Sequence, residues 1–255
     1  MPVASGGVAA ATHPTVGDGE AAAPSTHLTL LESFGLACDG QRVQVPMNGQ
    51  RVLAFLALHN RPLQRPYVAG SLWLDLPEAR AAASLRSALW RLHRRVPHVV
   101  DASAHQLALG AEVNVDLHAA EALARRVLDQ PRPLALDVDR TTLAGDLLPD
   151  WYESWILVAR EAHRQLRIRA LEKLGEHLLR AGRLDEALEV SLAAVAADPL
   201  RESAHRAVIR VHVEEGNVGE ALRQYRVFRR LLRYELGLEP SERMQLLVRD
   251  LAGAP

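Results

Sequence analysis

Cysteine occurs once in this chain, at Cys38, and lysine once, at Lys173. A lone cysteine permits no internal disulfide and no multi-cysteine zinc site. The lone lysine argues against a phosphate-loop NTPase, whose lysine must follow a glycine-rich turn; Lys173 lies instead in the helical run ALEKLGEHLL. The 11 histidines are scattered, with no HExxH pair and no carboxylate at metal-holding spacing. Ser84 and Ser87 sit among arginines rather than on a glycine-flanked elbow, which disfavours a nucleophile. An enzyme is therefore not expected, and no cofactor, metal or catalytic residue is assigned. No apolar run approaches the roughly 20 residues that span a bilayer. Residues 1–26, mostly small residues and Pro without a basic start, read as a disordered tail rather than a signal peptide, which leaves a cytoplasmic protein as the expectation.

Net charge is also nearly absent, at −1, so the molecule as a whole does not announce a polyanionic partner. Its distribution does. Between Arg51 and Arg95 stand eight arginines against only Asp75 and Glu78, a local excess of six positive charges. The core of that segment is PEARAAASLRSALWRLHRRV, residues 77–96. It opens on the Pro and Glu that suit a first helical turn and is stopped by Pro97. At helical spacing Leu85, Leu89, Leu92 and Val96 form an apolar stripe, and Arg80, Ala83, Ser84, Ser87, Arg91 and Arg94 fall opposite it. Small residues let a helix backbone approach DNA, and arginines reach guanine edges or phosphates. Arg80, Ser84, Ser87, Arg91, Arg94 and Arg95 are the candidate DNA contacts. A solvated amphipathic helix is the plainer alternative for this stretch in isolation.

The flanks favour the functional reading. Leu28–Leu31 and Gln41–Val45 suggest short strands joined through an Asp39-Gly40 turn, with Val43 and Val45 facing inward. Gly49–His59 and Tyr67–Trp73 suggest two helices before the arginine-faced one. His98–Val100 and Gln106–Leu109 flank a polar turn and read as a hairpin. Strands, three helices and a hairpin predict a winged helix-turn-helix over residues 27–112, with the third helix as reader and the hairpin as wing. From 113 to 255 the pattern is helical. AGRLDEAL at 181–188 returns as EGNVGEAL at 215–222, an offset of 34 residues, the tetratricopeptide period. The fold class is thus mainly α with a small β component: a winged helix-turn-helix followed by an all-α, tetratricopeptide-like domain. The last repeat helix, Gly219–Glu235, carries Arg223, Arg226, Arg230 and Arg233 as an outward stripe. A solvated face is its plain reading, with a phosphate or acidic partner as the alternative.

These residues together resemble the Streptomyces antibiotic regulatory proteins. LTLLESFGL, QRVLAFLALH, VAGSLW and SLRSALWRLHRR resemble their OmpR-like winged helix. DLLPDWYESWILVAREAHRQLRIRALEKLGEHLL, DPLRESAHRAVIRVH and EALRQYRVFRRLLRYELGLEPSERM resemble their bacterial transcriptional activation domain. The sequence departs from the pattern at Pro66, which a first helical turn tolerates. The resemblance implies a small, stand-alone activator that binds direct repeats in double-stranded promoter DNA, self-associates there, and helps RNA polymerase holoenzyme engage promoters of secondary-metabolite gene clusters. A helical-repeat interaction scaffold without specific DNA readout is the rival reading. The excess of arginine around residues 77–96 stands against it.

Overall fold

The computed structural model describes residues 25–129 and 139–252; the expected tail at 1–26 lies almost wholly outside the described residues. The architecture is mainly helical, with its strands gathered at the N-terminal side, as the sequence predicts.

The first sheet holds β1 (Thr26–Thr29), β2 (Gly35–Cys38) and β3 (Gln41–Arg42). The Asp39-Gly40 turn joins β2 to β3 rather than to β1, because Gly35–Cys38 itself forms a strand, pairing Leu36 with Leu28. Asp39 and Gly40 both have positive φ, 51° and 76°, the backbone sense that matches the twist of a two-residue hairpin. Helix α1 (Met47–His59) follows, closed by Asn60 in the left-handed conformation. A two-residue strand, β4 (Leu63–Gln64), leads into α2 (Arg65–Leu72), with Pro66 in its first turn. Helix α3 (Glu78–Arg95) is bounded by Pro77 and Val96. The wing comprises β5 (Val100–Ala102) and β6 (Gln106–Leu109), and β4 completes its three-stranded sheet in the order β4-β6-β5. Its first strand starts two residues later than the sequence suggests, since Val99 is buried as an anchor.

Strand β7 (Val113–Val115) lies just past the expected division at 112 and runs parallel to β1, setting Val115 beside Leu28. It flows into α4 (Asp116–Asp129), whose first carboxylate accepts the N–H groups of Leu30 (2.8 Å) and Leu31 (3.1 Å). After the short 3-10 turn Arg140–Leu143 come α5 (Ser154–Arg180), α6 (Leu184–Ala197), α7 (Glu202–Glu214), α8 (Val218–Leu236) and α9 (Glu242–Ala252). The repeat is visible as two helical hairpins, α5–α6 and α7–α8. Gly182 (φ 72°) and Gly216 (φ 76°) make equivalent left-handed turns that side chains rarely adopt. Ala187 and Ala221 are fully buried at the fourth position of the matching second helices, where small residues let helices approach.

One apolar core runs through the winged helix and into the helical part. It joins Leu28, Leu36, Val52, Phe55, Leu85 and Leu92 to Leu117, Leu147, Leu148 and Ile156. The chain between α4 and α5 returns to the first sheet: Leu31 bridges Leu147, and Leu148 N–H donates to Leu30 C=O at 3.0 Å. Aromatic edges add to the junction. Trp155 meets Phe55 edge-on at 5.4 Å, and Trp151 stacks with Phe34 at 6.2 Å. Arg51 of α1 pairs with Glu153 at 2.7 Å, and His118 of α4 meets Ala57 C=O at 2.8 Å. Polar and apolar contacts alike therefore weld α1 to the N-terminal end of α5.

Candidate nucleic-acid interface

Helix α3 buries Ala81, Leu85, Ala88 and Leu92, with Val96 just beyond. The stripe predicted through Leu89 is displaced: Leu89 is only half-buried, and Ala88 takes its place against α1. A leucine outweighs an alanine in any hydrophobic projection. Close packing of α3 on α1 favours the smaller residue.

The candidate contacts fall on the other side of the helix. Arg80, Ser87, Arg91, Arg94 and Arg95 are exposed and Ser84 is half-buried. Ser84, Ser87 and Arg91 line one shallow hollow of about 230 Å³ together with Pro46, Asn48 and Gly49 at the start of α1. The first turn of α1 holds no acidic residue, so the partial positive charge of its N-terminus borders this hollow without a competing carboxylate. On α3 the only first-turn acid is Glu78. Arg80 stands one turn before Ser84. Arg95 is engaged elsewhere: its Nη1 donates to Gln44 C=O at 2.6 Å and braces the segment entering α1.

The arginine and serine pattern does not mark Trp90 as a contact, yet it stands 60% exposed on the same outward surface. The Arg94 guanidinium lies over its ring, 4.8 Å from the centroid, which holds that side chain against the helix. A tryptophan off the Leu85–Leu92 seam of an arginine-rich helix is the signal the sequence offers. Arg86 faces the opposite flank, sharing a second hollow with Arg65 and with Ala104 at the wing tip. Arg65 also fixes the wing: its Nε donates to Ser103 C=O at 2.9 Å, and its backbone N–H to His105 C=O at 3.0 Å. The hairpin turn is closed by Ser103 Oγ, which accepts from Gln106 N–H at 2.9 Å. The surface thus presents, side by side, a helix N-terminus, an arginine- and serine-faced helix and a braced hairpin. Such a surface is suited to binding phosphates and to reading bases.

Among the described residues no cluster of His, Cys, Asp or Glu could hold a metal ion, and no helix is long and apolar enough to cross a membrane.

Comparison with known proteins places these observations in a family. No curated protein sequence matches the chain. In structure the chain is similar to Mycobacterium tuberculosis EmbR, solved in complex with a low-affinity phosphopeptide, with a TM-score of 0.66 at 20% identity. The likeness covers 90% of this chain and 65% of the EmbR chain, and at that identity it concerns the fold. The family of the bacterial transcriptional activator domain matches residues 100–251, from the wing to the last helix. With more than half of its length matched, the chain belongs to the bacterial transcriptional activator domain family.

Proposed function

We propose that this chain is a sequence-specific, non-enzymatic transcriptional activator that inserts α3 into the DNA major groove. The observation that carries the reading is the outward face of α3: serine and arginine opposite a buried seam, next to a positive helix end and a braced wing. Its 18 residues make a rod of about 27 Å, and the major groove, about 12 Å wide, admits a helix. In this reading Arg91, centred beside Ser84 and Ser87, forks onto a guanine edge. Arg80 and Arg94 take phosphates on either side, and the start of α1 receives a phosphate of the near strand. The family membership and the resemblance to Streptomyces antibiotic regulatory proteins support the rest. Two copies bind head to tail on promoter direct repeats, and the helical domain offers RNA polymerase holoenzyme a surface, at a secondary-metabolite gene cluster.

Selection of bound sequences from a random DNA pool tests this directly. Direct repeats should emerge, with centres roughly 10–10.5 base pairs apart. Affinity should fall with salt, each phosphate contact adding about −0.9 to the slope of log K against log salt. An inverted repeat would refute the head-to-tail arrangement. No enrichment, with a salt slope near zero, would leave the helical scaffold as the better reading.

A further inference from the structure

Helices α5, α7 and α9, with Leu128 of α4 and Ser191 of α6, line a groove of about 450 Å³ in the helical domain. Its floor is made of small residues, Gly175, Ser191 and Ala207 among them. Five cations line it: Arg169 and Lys173 from α5, Arg206 and Arg210 from α7, and Arg243 from α9. Only two acids share the lining, Glu172 and Glu176, and both are already occupied. Glu172 receives Arg201 through two bonds (2.8 and 2.9 Å) and the Ser203 hydroxyl. Glu176 is shared between Lys173, at 3.6 Å, and Arg180. Glu202 reaches Arg206 only at 3.5 Å, while its carboxylate also accepts the N–H (2.7 Å) and hydroxyl of Ser241. Arg169, Arg210 and Arg243 have no acidic partner among the described residues.

This arrangement holds like charges together. Burial, followed by the nearby Arg243 and Arg210, makes the Arg206 guanidinium less basic than an ordinary arginine. A protein that gathers guanidiniums from three helices without matching carboxylates leaves room for an external anion. One carboxylate would balance one of these arginines. A phosphate or diphosphate supplies two or more negative charges and several acceptor oxygens, which guanidinium forks match bidentately. The volume falls in the range of small-molecule sites rather than of a duplex-binding surface. Leu128, Leu179 and Val211 add an apolar wall for an organic portion.

We infer that the groove between α5, α7 and α9 is a binding site for a small molecule bearing a phosphate or diphosphate group. Its anionic end is held by Arg206, Arg210 and Arg243, with Arg169 alongside. Such a ligand bridges three helices that sequence separates by some seventy residues, and it therefore stiffens the helical domain. The site is independent of the DNA-reading proposal.

The test uses the full chain with inorganic pyrophosphate as probe, followed by calorimetry and thermal melting at constant ionic strength, with chloride as the balancing anion. Saturable binding and a rise in Tm are expected. Arg210→Gln combined with Arg243→Gln, both at exposed positions, should weaken that binding at least tenfold without lowering the ligand-free Tm. Arg226→Gln combined with Arg230→Gln, on the outward face of α8, should bind as the parent does, and so should Arg91→Ala on α3. No saturable binding overturns the inference. So does equal weakening in all three variants, which would mark a diffuse polyanion effect. Citrate binding as tightly as pyrophosphate would overturn the phosphate assignment.

Discussion

Arg91 and Leu92 are adjacent in sequence and opposite in consequence, which makes them a clean separation of DNA reading from folding. Leu92 is 2% exposed and packs where α3 crosses α1. The crossing is so close that a Cβ added to Gly49 would lie 3.2 Å from Leu92 Cδ2 and 2.9 Å from Val45 Cγ1. Leu92→Ala leaves a void that neighbours on two helices and a loop cannot readily fill, so a loss of about 2–5 kcal/mol is expected. At about 2–4 °C per kcal/mol for a chain of this size, Tm should drop by roughly 4–20 °C. Arg91 is exposed and makes no ion pair among the described residues, so Arg91→Ala should change stability by less than about 0.5 kcal/mol. Its effect should appear on DNA: loss of a bidentate guanine contact costs about 1–3 kcal/mol, a roughly 5–150-fold drop in affinity, with relaxed preference at one base pair. Circular-dichroism melting and fluorescence anisotropy on the selected operator, run on both variants, decide the matter. If Arg91→Ala melts early, or binds with full affinity and specificity, the recognition face is misassigned. If Leu92→Ala melts as the parent does, the α1–α3 seam is not the structural core described above.

Trp90→Ala should lower Tm by no more than a few degrees, because an exposed cation–π contact contributes only about 0.5–1 kcal/mol. It should nevertheless weaken operator binding by freeing Arg94 and removing an apolar contact; unchanged affinity would take Trp90 out of the interface. Stability should fall as pH drops below about 6.5, the range where an unfolded histidine gains its proton. Burial holds both His163 and His205 below that value in the fold, so the unfolded chain binds protons that the native one refuses. His205 meets Pro199 C=O through Nε2 (2.9 Å) and the Gln224 amide through Nδ1 (2.9 Å), so protonating Nδ1 would set two donors face to face. His205→Gln should therefore flatten Tm measured between pH 7.5 and 5.5, and an unaltered slope would show that this ring is not a titrating group. A fragment ending at 112 should melt far below the full chain, since it lacks Val115, Leu117, Leu147, Leu148 and Ile156 from the first core; a cooperative transition at the parental Tm would contradict the shared core.

The three helices of the winged unit were legible within about two residues at each end because hard punctuation bounds them: Pro66 at the start of α2, Asn60 after α1, and Pro77 and Pro97 around α3. Strands β2 and β7 were not. Gly35–Cys38 is mostly glycine and small residues and Val113–Val115 is only three residues long, so neither carries a visible alternation, and the parallel pairing of β7 with β1 joins segments more than eighty residues apart. The same distance hid the join between the two halves. Trp151, Trp155 and Leu147 read as helical-domain residues, and nothing local reports that they close over Phe34, Phe55 and Leu31. Of the candidate contacts, those facing outward on α3 follow from helical spacing alone. The engagement of Arg95 with Gln44, 51 positions earlier, does not.

Under the proposed function, the weld between α1 and α5 has a consequence for where the protein can sit on a promoter. Two modules on a loose tether would sample many relative orientations, and a partner-binding surface could swing toward its target from several operator positions. Here the first core, the Arg51–Glu153 pair and the Trp155–Phe55 contact fix α5 against the body that carries α3. If α3 seats in the major groove as proposed, the helical domain projects from one angular position around the DNA axis. Five extra base pairs between operator and promoter would carry it to the far side of the duplex, whereas ten or eleven would return it to the original side. The junction thereby converts a packing constraint into a helical phase.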